Sequence, residues 1–414
     1  MMPASREEEL RARAEGARAR AALHGPDIDV ELLAEPPERG AVASLGELSP
    51  ELQRAALSVG VDPAEVKRAG SLLLLDRSVV YDRVSRAYEG QVELLAIGEA
   101  RARHAWLDDY WWRAIDVGSD RYTAAAYLAP TGGFFLHVKA GQRVFWPLQT
   151  CLLLEHQAAR QILHNVILVE EDAEVQLVTG CTAHPGARRG MHVGVTEVYL
   201  QRGASLSETM IHHWAPGFHV RPRTAVVADA GASYVSNYVL ATPALCVQSH
   251  AHVVLRGAHA RAELRGIVVG VADSIVDLDV EVELLGRETR VDSVSRAIAR
   301  DRSQIFVRGR LVGRDDRSQG HLDCRGMVVS NAAAIHAIPE LDSEHAPHCR
   351  LSHEAAVGPI DEEVIDYLTT RGIDREEATS VLTRGFLKAG LPALPGPLEQ
   401  QIHRLALLTA TGAL

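Results

Sequence analysis

The chain has 414 residues and a net charge of −11, with 47% hydrophobic and 23% charged residues. That balance fits a globular protein with a buried core and offers no global positive field for nucleic acid or an anionic membrane surface. No apolar run approaches the roughly 20 residues that cross a bilayer, the amino terminus has no apolar leader segment, and five cysteines without paired spacing fit free thiols in a reducing cytoplasm.

In chain order, residues 4–23 are rich in Glu, Arg, Ala and Leu and are expected to form a solvated helix, with a partner-binding arm as the alternative. Pro36-Pro37 breaks the chain. Residues 45–67 have helical character, with Ser49 as N-cap and Pro50 at the first helical position. Asp62-Pro63-Ala64-Glu65 gives a second start signal of the same kind. Ser71–Val84 leans towards β structure. Residues 104–138 hold three of the five tryptophans, expected as an aromatic plug at the entrance to the next domain.

From Val138 the pattern becomes apolar or alternating runs separated by tight turns. The turns recur at nearly even intervals, at Gly141-Gln142, Asp172-Ala173, Gly203-Ala204, Gly231-Ala232, Gly257-Ala258, Gly286-Arg287 and Gly313-Arg314. A β repeat of about 28 residues predicts a solenoid whose coils stack because none can bury its apolar face alone. Each coil has room for several strands of about five residues. A jelly roll or large sandwich is the competing architecture. Long apolar runs such as Val166–Val169 suit strands covered on both faces. After Ala355 helical patterning returns. Asp361 and two glutamates open one amphipathic segment, Gly372 closes it, Asp374 opens another, and residues 398–411 form a last amphipathic helix.

Residues 321–358 concentrate metal-binding side chains: Cys324, Cys349, His321, His336, His345, His348 and His353. The chain has no CxxC, and Cys324 and Cys349 are too far apart in sequence for a zinc-finger pair, so a closed structural zinc site is not expected. An open site, or one completed by a second subunit, remains, against the plainer reading of both cysteines as core residues.

The same region carries a resemblance. Cys324 before an apolar run, Pro339-Glu340, the run LSHEAAVGPI and the run YLTTRGIDREEATSVLTRGF resemble the carboxy-terminal signature of the SufB/SufD family. Upstream, HNVILVEEDAEVQLVTGCTAHPG and MHVGVTEVYLQRGASLSETMIHHW resemble two of its central coils, so the likeness runs from His104 to the end. Two departures stand out: GCTAH where the family has GC(S/T)AP, and His212-His213-Trp214 where it has Gln-Asn-Trp. The resemblance implies a mainly β fold with a right-handed parallel β-helix core (104–355), an amino-terminal helical or mixed region (1–103) and a carboxy-terminal helical module (356–414) that docks an ATPase. It further implies an iron–sulfur cluster assembly scaffold, SufB-like, without catalytic activity of its own, working in the cytoplasm with a SufC-type ABC ATPase.

On this likeness Cys181 falls on a cysteine that moves sulfur through the β core. Cys324 falls on the thiol that accepts sulfur and holds the nascent cluster, and His353 and Glu354 fall on the family's His-Glu pair. The implied metal set is thus Cys324, His353 and Glu354, and the implied sulfur-transfer pair is Cys181 and Cys324. The cargo is a transient iron–sulfur cluster, and a flavin has no support in the residues. Implied partners are the ATPase, a second SufB/SufD-like subunit as homodimer or heterodimer, and a cysteine desulfurase or other sulfur donor, with neither nucleic acid nor membrane. Mixed Cys/His/Glu ligation is more labile than a four-thiolate cage, as a scaffold requires. His353 and Glu354 follow Cys324 by close to one repeat, so the three are expected side by side on adjacent coils, with Arg325 able to favour the thiolate unless strand alternation points it to the opposite face. Cys246 and Cys349 read as structural, and His184, His192, His345 and His348 as surface or packing residues. The other function class left open is a polysaccharide-acting β-helix enzyme or another metal-binding solenoid. No phosphate-binding G-x-x-x-x-G-K-[ST] loop occurs, so the chain is not itself the ATPase.

Overall fold

The computed structural model describes residues 5–388 apart from Pro243 and Glu344; the helix expected at 398–411 lies outside the described residues. The helices are α1 (Arg6–Ala17), α2 (Pro50–Ser58), α3 (Ile97–Arg103), α4 (Arg121–Leu128), α5 (Glu362–Thr370) and α6 (Arg375–Lys388). The strands are β1 (Gly70–Leu75), β2 (Ser78–Val84), β3 (Val92–Ala96), β4 (Phe134–Val138), β5 (Leu148–Leu154), β6 (Ala159–Val169), β7 (Glu174–Ala183), β8 (Arg189–Leu200), β9 (Ser205–His213) and β10 (Gly217–Ala228). They continue as β11 (Ser233–Thr242), β12 (Cys246–Leu255), β13 (Arg261–Gly270), β14 (Ile275–Leu284), β15 (Arg290–Ala299), β16 (Gln304–Gly313), β17 (Gln319–Val328), β18 (Ala334–Asp342) and β19 (Arg350–Pro359).

From β5 onward the chain alternates between two sheets. One runs β19-β17-β15-β13-β11-β9-β7-β5-β1-β2 and the other β18-β16-β14-β12-β10-β8-β6-β4-β3. Each sheet is parallel throughout the coils, and among the described residues only the pairs β1–β2 and β3–β4 are antiparallel. The result is a flattened parallel β-solenoid. The repeat length holds, but each coil contains two long strands, such as Arg261–Gly270 and Ile275–Leu284, not several short ones. Only a two-layer coil lets strands that long keep one face against the opposite sheet.

The turns supply the register. Gly203 and Gly231 both take φ of 71°, a left-handed conformation without cost for glycine, and Asp172 adopts φ of 56° at the equivalent place. Their backbone N–H groups each donate to a carbonyl of the next coil, Gly203 to Ala230 at 2.9 Å and Gly231 to Ala258 at 2.8 Å, so the turns stack as the strands do. In later coils the left-handed position passes to His259 and Glu288.

Between the sheets lies one continuous apolar core, from Leu72 and Leu136 at one end to Leu311 and Leu322 at the other. A second apolar layer covers the outer face of the first sheet, where α2 packs against it. Gly180 permits that approach, since a Cβ there would sit 2.3 Å from Val59 Cγ2. As expected, Ser49 caps α2, its Oγ accepting from Leu52 N. The second start signal does not make a helix. Asp62 instead accepts from Ala64 N and Val66 N in a turn, and Glu65 and Lys67 both have φ of 55°, which ends helical continuation.

The aromatic segment does not plug the end of the core. It seals the outer face of the second sheet, where Trp112, Tyr122, Met191 and Val193 share a buried cluster with Ala14 and Ala17 of α1. So α1 is docked through one small-residue stripe, not fully solvated. The anchor is Glu197 on β8, fully buried. Its carboxylate accepts backbone N–H bonds from Trp112, Arg113, Ala114 and Ile115 at 2.7–3.1 Å. Tyr199 Oη donates to it at 3.1 Å, and His164 Nε2 lies 2.9 Å away. At the far end α5 and α6 fold back on the outer face of the first sheet through Ile365, Ala378 and Leu387.

Candidate functional site

Parallel pairing in register stacks inward side chains into columns along the solenoid axis. One column of the first sheet carries Leu152, Cys181, His212, Leu240 and Val268. Its neighbour carries Thr179, Met210, Tyr238, Gly266, Ser295 and Cys324. A third carries Glu208, Ser236, Leu264, Ser293, Leu322 and His353. Cys181 and Cys324 thus both face the interior, on β7 and β17. Those strands are five spacings apart, about 24 Å at the usual ~4.8 Å per strand.

A small cavity adjoins Cys181, His192 and His212, and a larger one of about 100 Å³ extends from Glu208 to Cys324. The two share Glu208, Met210, Pro222 and Thr224 as walls. Small side chains make the larger space, Gly266, Ser295 and Gly309 among them, and hydroxyls of Tyr234, Ser236, Tyr238, Ser249 and Ser293 line it.

Cys324 is 5% exposed. Burial, and then the Asp323 carboxylate, push its thiol up to about 11, although Arg296 and a Ser295 hydrogen bond act the other way. The expected help from Arg325 is absent. Strand alternation sends Arg325 to the opposite face, where it binds Asp323 at 3.0 Å and Glu354 at 3.2 Å. Cys324 at rest is therefore a protonated thiol. Burial raises Cys181 well above the ordinary thiol range, with Cys151 and Glu208 adding to the shift. Cys151 is pushed to about 12 by burial on the outer face.

The coil carrying the His-Glu pair is longer than the one before it: Arg290 pairs with Gln319, and Gln319 in turn with Arg350. Ala355, not the pair, therefore lies beside Cys324, while His353 aligns with Leu322 and Glu354 with Asp323. His353 keeps the inward face and sits one column from Cys324. Glu354 points to the other face. Both are exposed, because β19 is the last strand of its sheet. Cys349 donates weakly to Ser318 O at 3.3 Å, and Cys246 is buried. His192 is a buried interior residue, His345 and His348 are exposed, and His336 stacks on Phe306 with centroids 4.6 Å apart. Among the described residues, the groups dense enough to hold a metal alone are Asp76/Glu155/His156 and His252/Glu281/Glu283, and neither includes Cys324, His353 or Glu354.

Sequence reasoning did not single out Glu197, Glu208 or Tyr238. The available signal was an acid or phenol inside an apolar strand, as in VGVTEVYL, which must find a partner when buried.

Residues 152–386 match the family model described as SUF system FeS cluster assembly, SufBD core domain. An iron-sulfur cluster assembly SufBD family protein of Methanothermobacter thermautotrophicus Delta H is 38% identical over 406 residues, covering 97% of this chain and 98% of the relative. The chain belongs to the SufBD family. A second SufBD relative, from Archaeoglobus fulgidus, is 36% identical over 87% of this chain and 95% of its own length. The iron-sulfur cluster assembly protein SufB of Bacillus subtilis is 24% identical, over 93% and 83% of the two chains. For this SufBD protein the family match begins within β5, spans the later coils to β19 and runs into α6. Of the two function classes left open by the sequence, membership supports iron–sulfur cluster assembly. Among the described residues no helix is long and apolar enough to cross a membrane.

Proposed function

We propose that this SufBD protein is a non-catalytic scaffold that takes up sulfane sulfur at Cys181, conducts it through the solenoid interior, and builds a nascent iron–sulfur cluster at Cys324. The observation that carries the reading is the pair of adjoining interior cavities, with Cys181 on the wall of one and Cys324 on the wall of the other, in a chain whose other described cysteines lie elsewhere. The cluster is cargo. Cys324 and His353, which share the inward face, are its first ligands. Glu354 joins them once it leaves Arg325, and a second SufB/SufD-like subunit supplies the rest. Among the described residues the outer edges of β18 and β19 are unpaired, which supports that pairing, because unpaired strand edges need covering.

A resting thiol pushed to about 11 is a poor nucleophile. The scaffold therefore needs an opening motion at its last coils, which a SufC-type ATPase docked on the 356–414 module would drive in the cytoplasm. The sulfur donor is a cysteine desulfurase or a carrier loaded by one.

The test is anaerobic reconstitution with iron and sulfide, followed by absorbance and iron counting. Cys324→Ser should abolish cluster formation with folding and ATPase co-purification intact, and Cys349→Ser should behave as wild type. A chain ending at Gly358 should lose the ATPase, and light scattering should find a dimer or a SufB/SufD-like partner complex. Wild-type iron content in Cys324→Ser would sink the assignment.

A further inference from the structure

Around Cys181 two buried hydrogen-bond donors have nothing to donate to. His212 lies directly beside Cys181 on the adjacent strand, on the same inward face, and is 1% exposed. Its Nδ1 accepts from Trp214 Nε1 at 3.1 Å. An indole N–H can only donate, so Nδ1 carries no proton. Burial holds the imidazole neutral, with its pKa down to about 3, so the ring proton is on Nε2. That Nε2 is buried and unpartnered. The hydroxyl of Tyr238 is likewise buried and unpartnered, and its ring centroid is 4.9 Å from that of His212. Cys181 lies close enough to Tyr238 for its charge to raise the phenol further.

Unsatisfied buried donors are rare in folded proteins and cost stability. Here His212 lines the Cys181 cavity and Tyr238, packed against His212, lines the adjoining one, so two such donors flank one interior thiol without an anion to accept from them. The neutral Cys181 thiol is a poor acceptor and leaves both unsatisfied. A persulfide is a stronger acid than a thiol and ends in an anionic sulfur one bond further out. That sulfur is the acceptor that both donors lack.

We propose that His212 Nε2–H and Tyr238 O–H are a two-donor cradle for the terminal sulfur of a Cys181 persulfide anion. The inference rests on the sulfur-uptake reading above and specifies how the first station holds its charge. The loading step balances with a persulfide donor: HSS⁻ plus the Cys181 thiol gives H₂S and Cys181–S–S⁻. The donor's S–S bond breaks as the new one forms, the thiol proton leaves on the departing sulfide, and no external oxidant is needed. Both residues are positioning residues, since the sulfur bonds to Cys181 alone. Glu208 faces the same space; burial raises its carboxyl pKa and so favours the uncharged form that does not oppose the anion, while the hydrogen bond it accepts from Tyr234 Oη at 3.0 Å acts the other way.

The experiment uses the full chain in a Cys324→Ser background, so that the downstream acceptor is absent. The protein is treated anaerobically with sodium disulfide and desalted. Samples are then unfolded and alkylated at intervals, and the Cys181 peptide is read by mass spectrometry. Tyr238→Phe and His212→Leu should each shorten the persulfide lifetime about tenfold, as expected for one hydrogen bond to a charged group. His212→Gln, which keeps an N–H donor, should stay near the background protein. Tyr238→Phe should also leave the unfolding temperature unchanged or raised, because at rest it removes an unpaired buried hydroxyl. A structural role would lower that temperature and leave the lifetime alone. Persulfide of equal lifetime in all variants overturns the cradle and leaves sulfur uptake standing. No persulfide at Cys181 in the background protein overturns both.

Discussion

The two ends of the solenoid are built on opposite terms. At the amino-terminal end the first strands are capped by antiparallel partners, β2 on one sheet and β3 on the other, and the outer face of the second sheet is sealed by the Trp112 segment tied to Glu197. At the carboxy-terminal end β19 is exposed along most of its length, Val357 is 43% exposed, and neither β18 nor β19 has a partner on its outer edge among the described residues. Cys181 belongs to the sealed half and Cys324 to the open one. A solenoid stable at one end can leave its other end unfinished, because each coil draws support only from its neighbours. The candidate cluster site lies where the fold is least complete, which suits a scaffold that must release what it builds.

The sharpest way to break this contrast is to unfasten the sealed end. Glu197→Ala strands four backbone N–H groups, one buried and three part-buried, together with the fully buried His164. The expected loss is about 3–5 kcal/mol, the usual cost of removing one partner from a buried charged network. Urea unfolding followed by circular dichroism measures it. A loss below about 1 kcal/mol, the range of an exposed ion pair, would mean that the aromatic segment is held by apolar packing alone.

Much of the architecture was legible because turns obey local rules. Gly203 and Gly231 can take left-handed φ cheaply, so their spacing betrays the coil before any contact is known. Strand length was not legible. A run such as Val166–Val169 is apolar because both of its faces are covered, and periodicity cannot tell from such a run how far its strand, Ala159–Val169, extends. Two of the site's cysteines could be placed by resemblance, yet their ionisation could not, because burial and the Arg296 and Ser295 beside Cys324 come from strand pairing. The position of Glu354 escaped for a simpler reason. The last coil is longer than the one before it, so Ala355 takes the place beside Cys324, and strand alternation sends Glu354 to the face opposite His353. Of the interior histidines, His212 was visible as a departure from a family pattern and His192 as a surface or packing residue, but the burial of His212 was not.

That burial sharpens the comparison through pH. His192 and His212 are both held down to about 3, chiefly by burial. Unfolded histidines take up a proton near pH 6.5. A depressed folded pKa contributes stability above that value, and the contribution drains away as pH falls from about 6.5 to about 3. Each histidine should add a slope of about 1.4 kcal/mol per pH unit within that window. Unfolding free energies measured from pH 7 to pH 4 should therefore fall less steeply for His212→Gln than for wild type. The buried thiols act on the alkaline side. Cys324, raised to about 11, favours the fold below the ordinary thiol pKa of about 8.5 and loses that contribution as pH rises towards 11. Equal acid slopes for wild type and His212→Gln would show that the interior imidazole is already hydrated.

The smallest expected stability effect belongs to the open end and carries the most functional information. Glu354 is exposed and, among the described residues, pairs with Arg325 at 3.2 Å, which itself also binds Asp323. Exposed pairs of this kind are worth about 0.2–1 kcal/mol, so Glu354→Gln should leave the unfolding curve almost unmoved. If the carboxylate served only the fold, nothing else would change. As a cluster ligand, released from Arg325 when the last coils open, Glu354 should matter greatly once iron is present, since Gln keeps the shape but loses the charge that binds it. Iron retention after anaerobic reconstitution should then fall sharply in Glu354→Gln, while Arg325→Gln, which frees the carboxylate, should retain as much iron as wild type or more. The inward-facing His353 provides the internal comparison, because His353→Gln removes a ligand that needs no release. Should Glu354→Gln hold iron as well as wild type while His353→Gln does not, the ligand set at this end is Cys324 and His353 with the partner subunit, and Glu354 is only a surface ion pair.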